Sequence, residues 1–407
     1  MTMLYAMYQA RSDMLEPMRI FSQFVSDSLE AQESAVTNNL MVRQVIAACD
    51  LFAKTKLTYQ SPPFAIDQIL DGNQLVAVTE ERVFQTPFAS LLKFRKETIS
   101  PKPKVLVVAP LSGHYATLLR ATVETLLLDH EVYITDWHNA RDIPVSAGRF
   151  GFDEYVEHLI RFLEFLGNDV HLLAVCQPCV QALIATAIMA EDQNPCQPNS
   201  LTLMAGPIDT RINPTKVNEL ATGKPIDWFK SNLIATVPSR YEGAGRRVYP
   251  GFIQLSAFMS MNFNRHIKAH ADMFGHIVFR EDDKLQAARD FYDEYFAVLD
   301  LAEEFYIETV DRVFQQHLLP LGKMTYYDRS VRPEKIKKSS LLTVEGERDD
   351  ICALGQTMAA HDLCSSIRPY KKKHHMQAGV GHYGVFSGGK WTRQVYPIVR
   401  NSILMSE

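Results

Sequence analysis

Val170-His171-Leu172-Leu173-Ala174-Val175-Cys176-Gln177-Pro178-Cys179 is the stretch on which the reading of the chain turns. An apolar strand stops at a cysteine. The run Val180 to Ala190, interrupted only by Gln181 and Thr186, then reads as a helix packed inside a parallel sheet. A thiol at such a turn sits on the positive end of the helix dipole, which favours a thiolate nucleophile. Pro178 suits the first helical turn, where its missing N–H would have had no partner. The N–H of Gln177, directly after the cysteine, is placed to supply half of an oxyanion hole, as in the strand–nucleophile–helix elbow of hydrolases.

Working outward, strands and helices alternate. Val105 to Ala109 reads as a strand, Tyr115 to Leu128 as a helix, Val132 to Thr135 as a strand and Phe152 to Leu166 as a helix. His171 to Val175 is a strand, Gln177 to Glu191 a helix and Leu201 to Ala205 a strand. This order predicts an α/β fold with a mostly parallel sheet and helices on both faces, in which ligands bind at the carboxyl ends of the strands. Gln74 to Thr98 alternates like paired strands and begins the sheet. Before it, residues 1–70 read as a helical segment, with Met14, Met18, Phe21 and Val25 on one face and a second helix through Val45, Ile46, Cys49 and Phe52. After Ala205 the rhythm stops. Residues 206–338 read as helices and loops rich in aromatics and Met, notably Tyr249 to Phe263, and predict a cap over the strand ends. The rhythm resumes over 339–407 with a strand Leu341 to Val344, a helix Leu354 to Cys364, a strand His374 to Ala378 and a last helix carrying Trp391, Val395, Ile398 and Val399. The core is therefore assigned to 71–205 and 339–407.

A chain of 407 residues with 46% hydrophobic content can bury a large core. A formal charge of −5 excludes the strong positive field of a nucleic-acid binder. No apolar run reaches the roughly 18 residues of a membrane span, and Met1 to Asp13 lacks the pattern of a secretory signal. Six scattered cysteines then predict reduced thiols and a cytoplasmic setting.

A cysteine nucleophile needs a base and a carboxylate to orient that base. In α/β-hydrolases the partners follow the nucleophile in the order acid, then histidine, each on a loop after a strand. Behind the strand Leu341 to Val344 comes Glu345-Gly346-Glu347-Arg348-Asp349-Asp350-Ile351, and behind the last strand comes Gly379-Val380-Gly381-His382-Tyr383-Gly384. His382 is the candidate base. Asp349 is preferred over Asp350 as the acid, because Gly-x-x-Asp-x-Ile presents it at the turn while Ile351 returns to the core. The second oxyanion donor is assigned to the backbone N–H of Ser112, in Leu111-Ser112-Gly113-His114 after the strand Val105 to Ala109.

Three other features compete. Cys176-Gln177-Pro178-Cys179 is a C-x-x-C, the pattern of a redox site, but those sites open a small domain and the redox reading leaves the His382 loop unused. Cys179 is assigned to packing. His266 and His270, at i and i+4, could be half of a metal site, yet no third ligand is evident, and no metal is expected. Lys371-Lys372-Lys373-His374-His375 could favour an anionic ligand, but reads better as a solvated strand start.

With these residues in view, the chain resembles the intracellular poly(3-hydroxybutyrate) (polyhydroxyalkanoate) depolymerases, α/β-hydrolases whose nucleophile is cysteine. The likeness runs through Met3-Leu4-Tyr5, Ala109 to Arg120, Tyr133-Ile134-Thr135-Asp136-Trp137, Val175-Cys176-Gln177-Pro178, Val344 to Ile351 and Gly381-His382-Tyr383-Gly384. The resemblance implies Cys176 as nucleophile, His382 as base and Asp349 as its orienter, the residues chosen above on physical grounds. It implies hydrolysis of amorphous intracellular polyester at the surface of storage granules, with no cofactor and room for a homo-oligomer; an acyl-thioester can equally be intercepted by another thiol, which makes coenzyme A an alternative acceptor to water. The aromatic insertion would face the polymer. The rivals are a polyester synthase using the same three residues in reverse, whose box keeps glycines where Ala174 and Pro178 stand here, a non-enzymatic granule protein, and the redox protein.

Overall fold

The computed structural model describes the chain apart from residues 1, 33, 98–100 and 262. Thr98 and Asn262, which the strand and insertion readings above touch, lie outside the described residues. The described residues form a nine-stranded sheet whose strands, numbered in chain order, are β1 Gln68–Asp71, β2 Gln74–Gln85, β3 Ala89–Lys96, β4 Lys104–Val108, β5 Glu131–Trp137, β6 Val170–Val175, β7 Ser200–Met204, β8 Ser340–Gly346 and β9 Lys372–Gln377. Their spatial order is β1-β2-β3-β5-β4-β6-β7-β8-β9. The first three pair antiparallel and β3 joins β5 antiparallel, while every pair from β5 to β9 is parallel. This is the α/β-hydrolase fold.

The apolar runs follow from double burial. Leu106 and Val108 of β4 join one core cluster and Val105 and Val107 the other. In β6, Leu172 and Ala174 alternate in the same way with Leu173 and Val175. Successive side chains point to opposite faces and both faces are covered, so the strand cannot show a polar side. Helices Phe152–Leu166 and Cys179–Glu191 cover the first face. Helix Arg120–Leu126 and the C-terminal segment bearing Trp391, Val395 and Val399 cover the second.

Several local readings are corrected. Residues 68–71 are a strand, hairpinned onto β2 through Gly72 at φ +64°, so the helical prelude ends earlier than residue 70. The segment 115–128 opens as a 3-10 turn, Ala116–Leu119, before its α-helix. The helix after Cys176 starts at Cys179, since 176–178 form the turn itself. Leu354 to Cys364 is mostly turns, with helix only at Ala360–Leu363. The cause is Glu345, a buried carboxylate whose oxygens accept the N–H groups of Gly355, Thr357 and Met358 at 2.8–2.9 Å, and side-chain capping of this kind replaces regular helical bonding.

The insertion carries helices Gly251–Met261, Phe263–Phe279, Asp282–Phe296 and Glu303–Thr309 among shorter elements. The N-terminal helices pack on it: Ile46 and Ala47 share a core with Met273, Ile277 and Tyr292, and Asp50 pairs with Arg289 at 2.8 Å. Tyr5 donates its hydroxyl to the fully buried Asp300 at 2.7 Å. No described helix is long and apolar enough to cross a membrane.

Candidate active site

Cys176 follows β6 at φ +66°. A non-glycine residue in this left-handed region marks a strained turn, and here it lifts the side chain off the strand end. The elbow is held from both sides: the N–H of Cys176 donates to the Met204 carbonyl at 2.8 Å, and its own carbonyl accepts the N–H of Cys179 at 3.1 Å.

The loops after β8 and β9 meet beside it. The N–H of Arg348 donates to the Val380 carbonyl at 2.8 Å, which ties the two loops together. His382 Nδ1 lies 2.8 Å from Asp349 Oδ2, and Cys176 stands near enough to the ring to act on its charge. Asp349 is fixed in turn, its Oδ1 accepting the N–H groups of Ile351 and Cys352 at 2.9 Å each. Asp350 is exposed and Asp349 buried, so the carboxylate against the imidazole is the one that the turn argument selected. Burial opposes charge on His382, but Asp349 and then Cys176 outweigh it, and the imidazole pKa is raised well above its usual range. The arrangement sets the imidazole between a carboxylate and a sulfur.

Gln177 and Ser112 both line the cavity that opens beside Cys176. No hydrogen bond among the described residues engages either backbone N–H, as two donors facing a substrate oxygen require. The cavity has a volume of about 240 Å3 and is walled largely by the insertion, including Phe229, Tyr249, Phe258 and Phe305. Within the run Tyr249 to Phe263, Tyr249, Ala257 and Phe258 are therefore cavity wall and Phe252 is buried, whereas Phe263 is exposed. The run is mainly cap interior rather than an open face.

The competing features resolve differently. Cys179 is buried, its thiol donating to the carbonyls of Ala174 at 3.3 Å and Met204 at 3.6 Å, and burial pushes its pKa well up. It is a neutral core thiol. His266 Nδ1 lies 3.1 Å from the Tyr292 hydroxyl and His270 Nδ1 2.9 Å from the His266 carbonyl. Among the described residues no group of three or more His, Cys, Asp or Glu side chains could hold a metal. Lys371 and Lys372 donate to the carbonyls of Lys338 and His361 at 2.7 Å each, at the start of edge strand β9.

Two positioning residues escaped the sequence reading. The Thr357 hydroxyl accepts the N–H of Gly206 at 2.8 Å and donates to its carbonyl at 3.0 Å. Gly206 in turn packs under the elbow, where a Cβ would stand 2.2 Å from Cys179 Cβ and 3.0 Å from the Cys176 carbonyl oxygen. The only sequence signal is a glycine at the end of an apolar strand. Gly206→Ala should therefore destabilise the protein by about 1–3 kcal/mol through overpacking, read as a lower urea midpoint at unchanged slope. A midpoint equal to wild type would show that the elbow has room to spare.

Residues 205–407 match the family model described as PHB de-polymerase C-terminus. Solved structures similar to the chain include a candidate lipase of Acinetobacter baumannii AYE (13% identity, 81% of this chain and 93% of that one, TM-score 0.47), a 2-hydroxy-6-oxo-6-phenylhexa-2,4-dienoate hydrolase of Rhodococcus sp. strain RHA1 (10%, 81% and 99%, 0.45) and a monoacylglycerol lipase of Paleococcus ferrophilus (11%, 75% and 97%, 0.42). A search of curated proteins gave no match.

Proposed function

Over its C-terminal half this chain belongs to the PHB depolymerase family, and from that premise we propose that it cleaves the ester bonds of amorphous intracellular poly(3-hydroxybutyrate) through Cys176, His382 and Asp349. The observation that carries the reading is His382 paired with Asp349 beside Cys176, which lines an apolar cavity. His382 takes the proton of Cys176 as the sulfur attacks the ester carbonyl. The oxyanion is met by the N–H groups of Gln177 and Ser112. The C–O bond breaks and the hydroxyl end leaves with the proton from His382. Water, giving a proton to His382, then opens the thioester to a carboxylic acid and restores the thiol. Coenzyme A in the place of water would yield an acyl-coenzyme A by the same route.

Contact with a granule surface fits the first helix, Thr2–Glu30. Met7, Met14, Met18 and Phe21 are all more than half exposed and fall along one side of it. Flexible apolar side chains of this kind suit an irregular apolar surface. The test is release of soluble 3-hydroxybutyrate species from amorphous granules, with and without coenzyme A, the product naming the acceptor. Phe21→Glu should slow granule turnover severalfold more than cleavage of a soluble ester. Granules left intact under both conditions, while 3-hydroxybutyryl-coenzyme A is polymerised, would replace this reading with the synthase.

A further inference from the structure

Cleavage at Cys176 does not explain the polar groups on the cavity wall. Both side-chain amide atoms of Gln177, Oε1 of Gln254 and Oγ1 of Thr309, all on residues that line the cavity, are buried with no hydrogen-bond partner among the described residues. Gln254 and Thr309 are each only 8% exposed. Buried polar atoms are nearly always paired, so several unpaired ones on residues that line a single cavity point to a ligand that supplies the partners when these side chains turn to it.

The local structure holds both side chains to this task. Other helical threonines have partners: Thr125, Thr186 and Thr222 return their hydroxyls to the carbonyls of Ala121 at 2.7 Å, Ala182 at 2.8 Å and Asn218 at 3.0 Å, and Thr122 donates to the Phe386 carbonyl at 2.6 Å. Thr309 has none. It ends helix Glu303–Thr309 where a π-turn, Val310–Gln315, begins, and such turns concentrate at functional sites. Gln254 belongs to helix Gly251–Met261 and rests its amide on Gly113, where a Cβ would come within 2.6–2.9 Å of Cδ, Oε1 and Nε2. That contact sets it against the loop bearing Ser112. Tyr249 and Tyr306 of the wall stack on each other at 3.9 Å.

No residue lining the cavity is charged. An uncharged, mostly apolar space with an amide and a hydroxyl, each able to donate and accept, fits a short aliphatic chain carrying oxygens along its length. A plain hydrocarbon chain would leave both groups unpaired. We propose that Gln254 and Thr309 are specificity-determining residues that hydrogen-bond the in-chain oxygens of the acyl unit, so that the site selects a 3-oxygenated acyl chain over an alkanoyl chain of equal length. This rests on the ester-cleavage reading above and adds to it the groups that read the substrate.

The experiment compares kcat/KM for the p-nitrophenyl esters of 3-hydroxybutyrate and butyrate. Wild type should prefer the hydroxylated ester. Thr309→Val, nearly the same shape without the hydroxyl, and Gln254→Met should each lower that preference about tenfold. Thr309→Ser, which restores a hydroxyl, should recover most of it and guards against a merely structural effect. A wild-type ratio near one, or a ratio unmoved in both folded variants, overturns the proposal while ester cleavage stands. Wild type inert towards both esters overturns ester cleavage, and the proposal falls with it.

Discussion

Cys176→Ala is expected to lower ester cleavage by about 10^4-fold or more, because removing the nucleophile of a cooperating set leaves only binding and oxyanion stabilisation. Cys176 is the one thiol among the described residues that stands at an elbow near the His382 imidazole and lines the cavity. Cys179, three residues on, gives the internal control. Its thiol is committed to the carbonyls of Ala174 and Met204, so Cys179→Ala should cost modest stability and leave turnover within a few-fold of wild type. The comparison separates ester cleavage from C-x-x-C redox chemistry, in which losing either sulfur is fatal. Burst kinetics with a chromogenic ester, followed by trapping of the acyl group on Cys176, checks the first outcome directly. Equal, severe losses from both substitutions would return the site to a redox reading.

What could be read from the sequence, and what could not, divides along physical lines. The strands at 170–175, 200–204 and 340–346 are legible because both of their faces are buried, which writes burial into the sequence as a mainly apolar run with only isolated polar residues such as His171 and Thr202. The break of such a run onto Cys176 marked the elbow, and the order of acid and histidine loops located Asp349 and His382, which stand in contact in the structure. The segment 354–364 misled because its apolar spacing looks helical. The N–H groups that would have made a helix are taken by Glu345, whose part depends on its position in β8. Gly206 and Thr357 meet across 151 positions of sequence separation, and no local pattern records such a contact. Gln254 and Thr309 are ordinary polar residues of helices until burial shows that they lack partners.

Asp349→Asn should reduce turnover on the order of 10^4-fold while Asp350→Asn changes it little. An asparagine keeps the shape but can turn its amide N–H towards His382 Nδ1, which forces the proton to the wrong nitrogen. The same substitution has a spectroscopic and a thermodynamic signature. Burial depresses the His382 pKa, and Asp349 is the larger of the two charges that raise it. Without it the imidazole should titrate at lower pH, visible as an earlier shift of its ring resonances. Because the folded-state pKa of His382 lies above its unfolded value, its contribution to stability is fully present below about pH 6.5 and is lost as pH rises through the folded pKa. The melting deficit of Asp349→Asn should therefore be largest in mildly acidic solution and shrink as the solution is made alkaline. A deficit that grew with pH, or an imidazole resonance that titrated as in wild type, would show that Asp349 acts on its loop through Ile351 and Cys352 alone and does not govern the proton on His382.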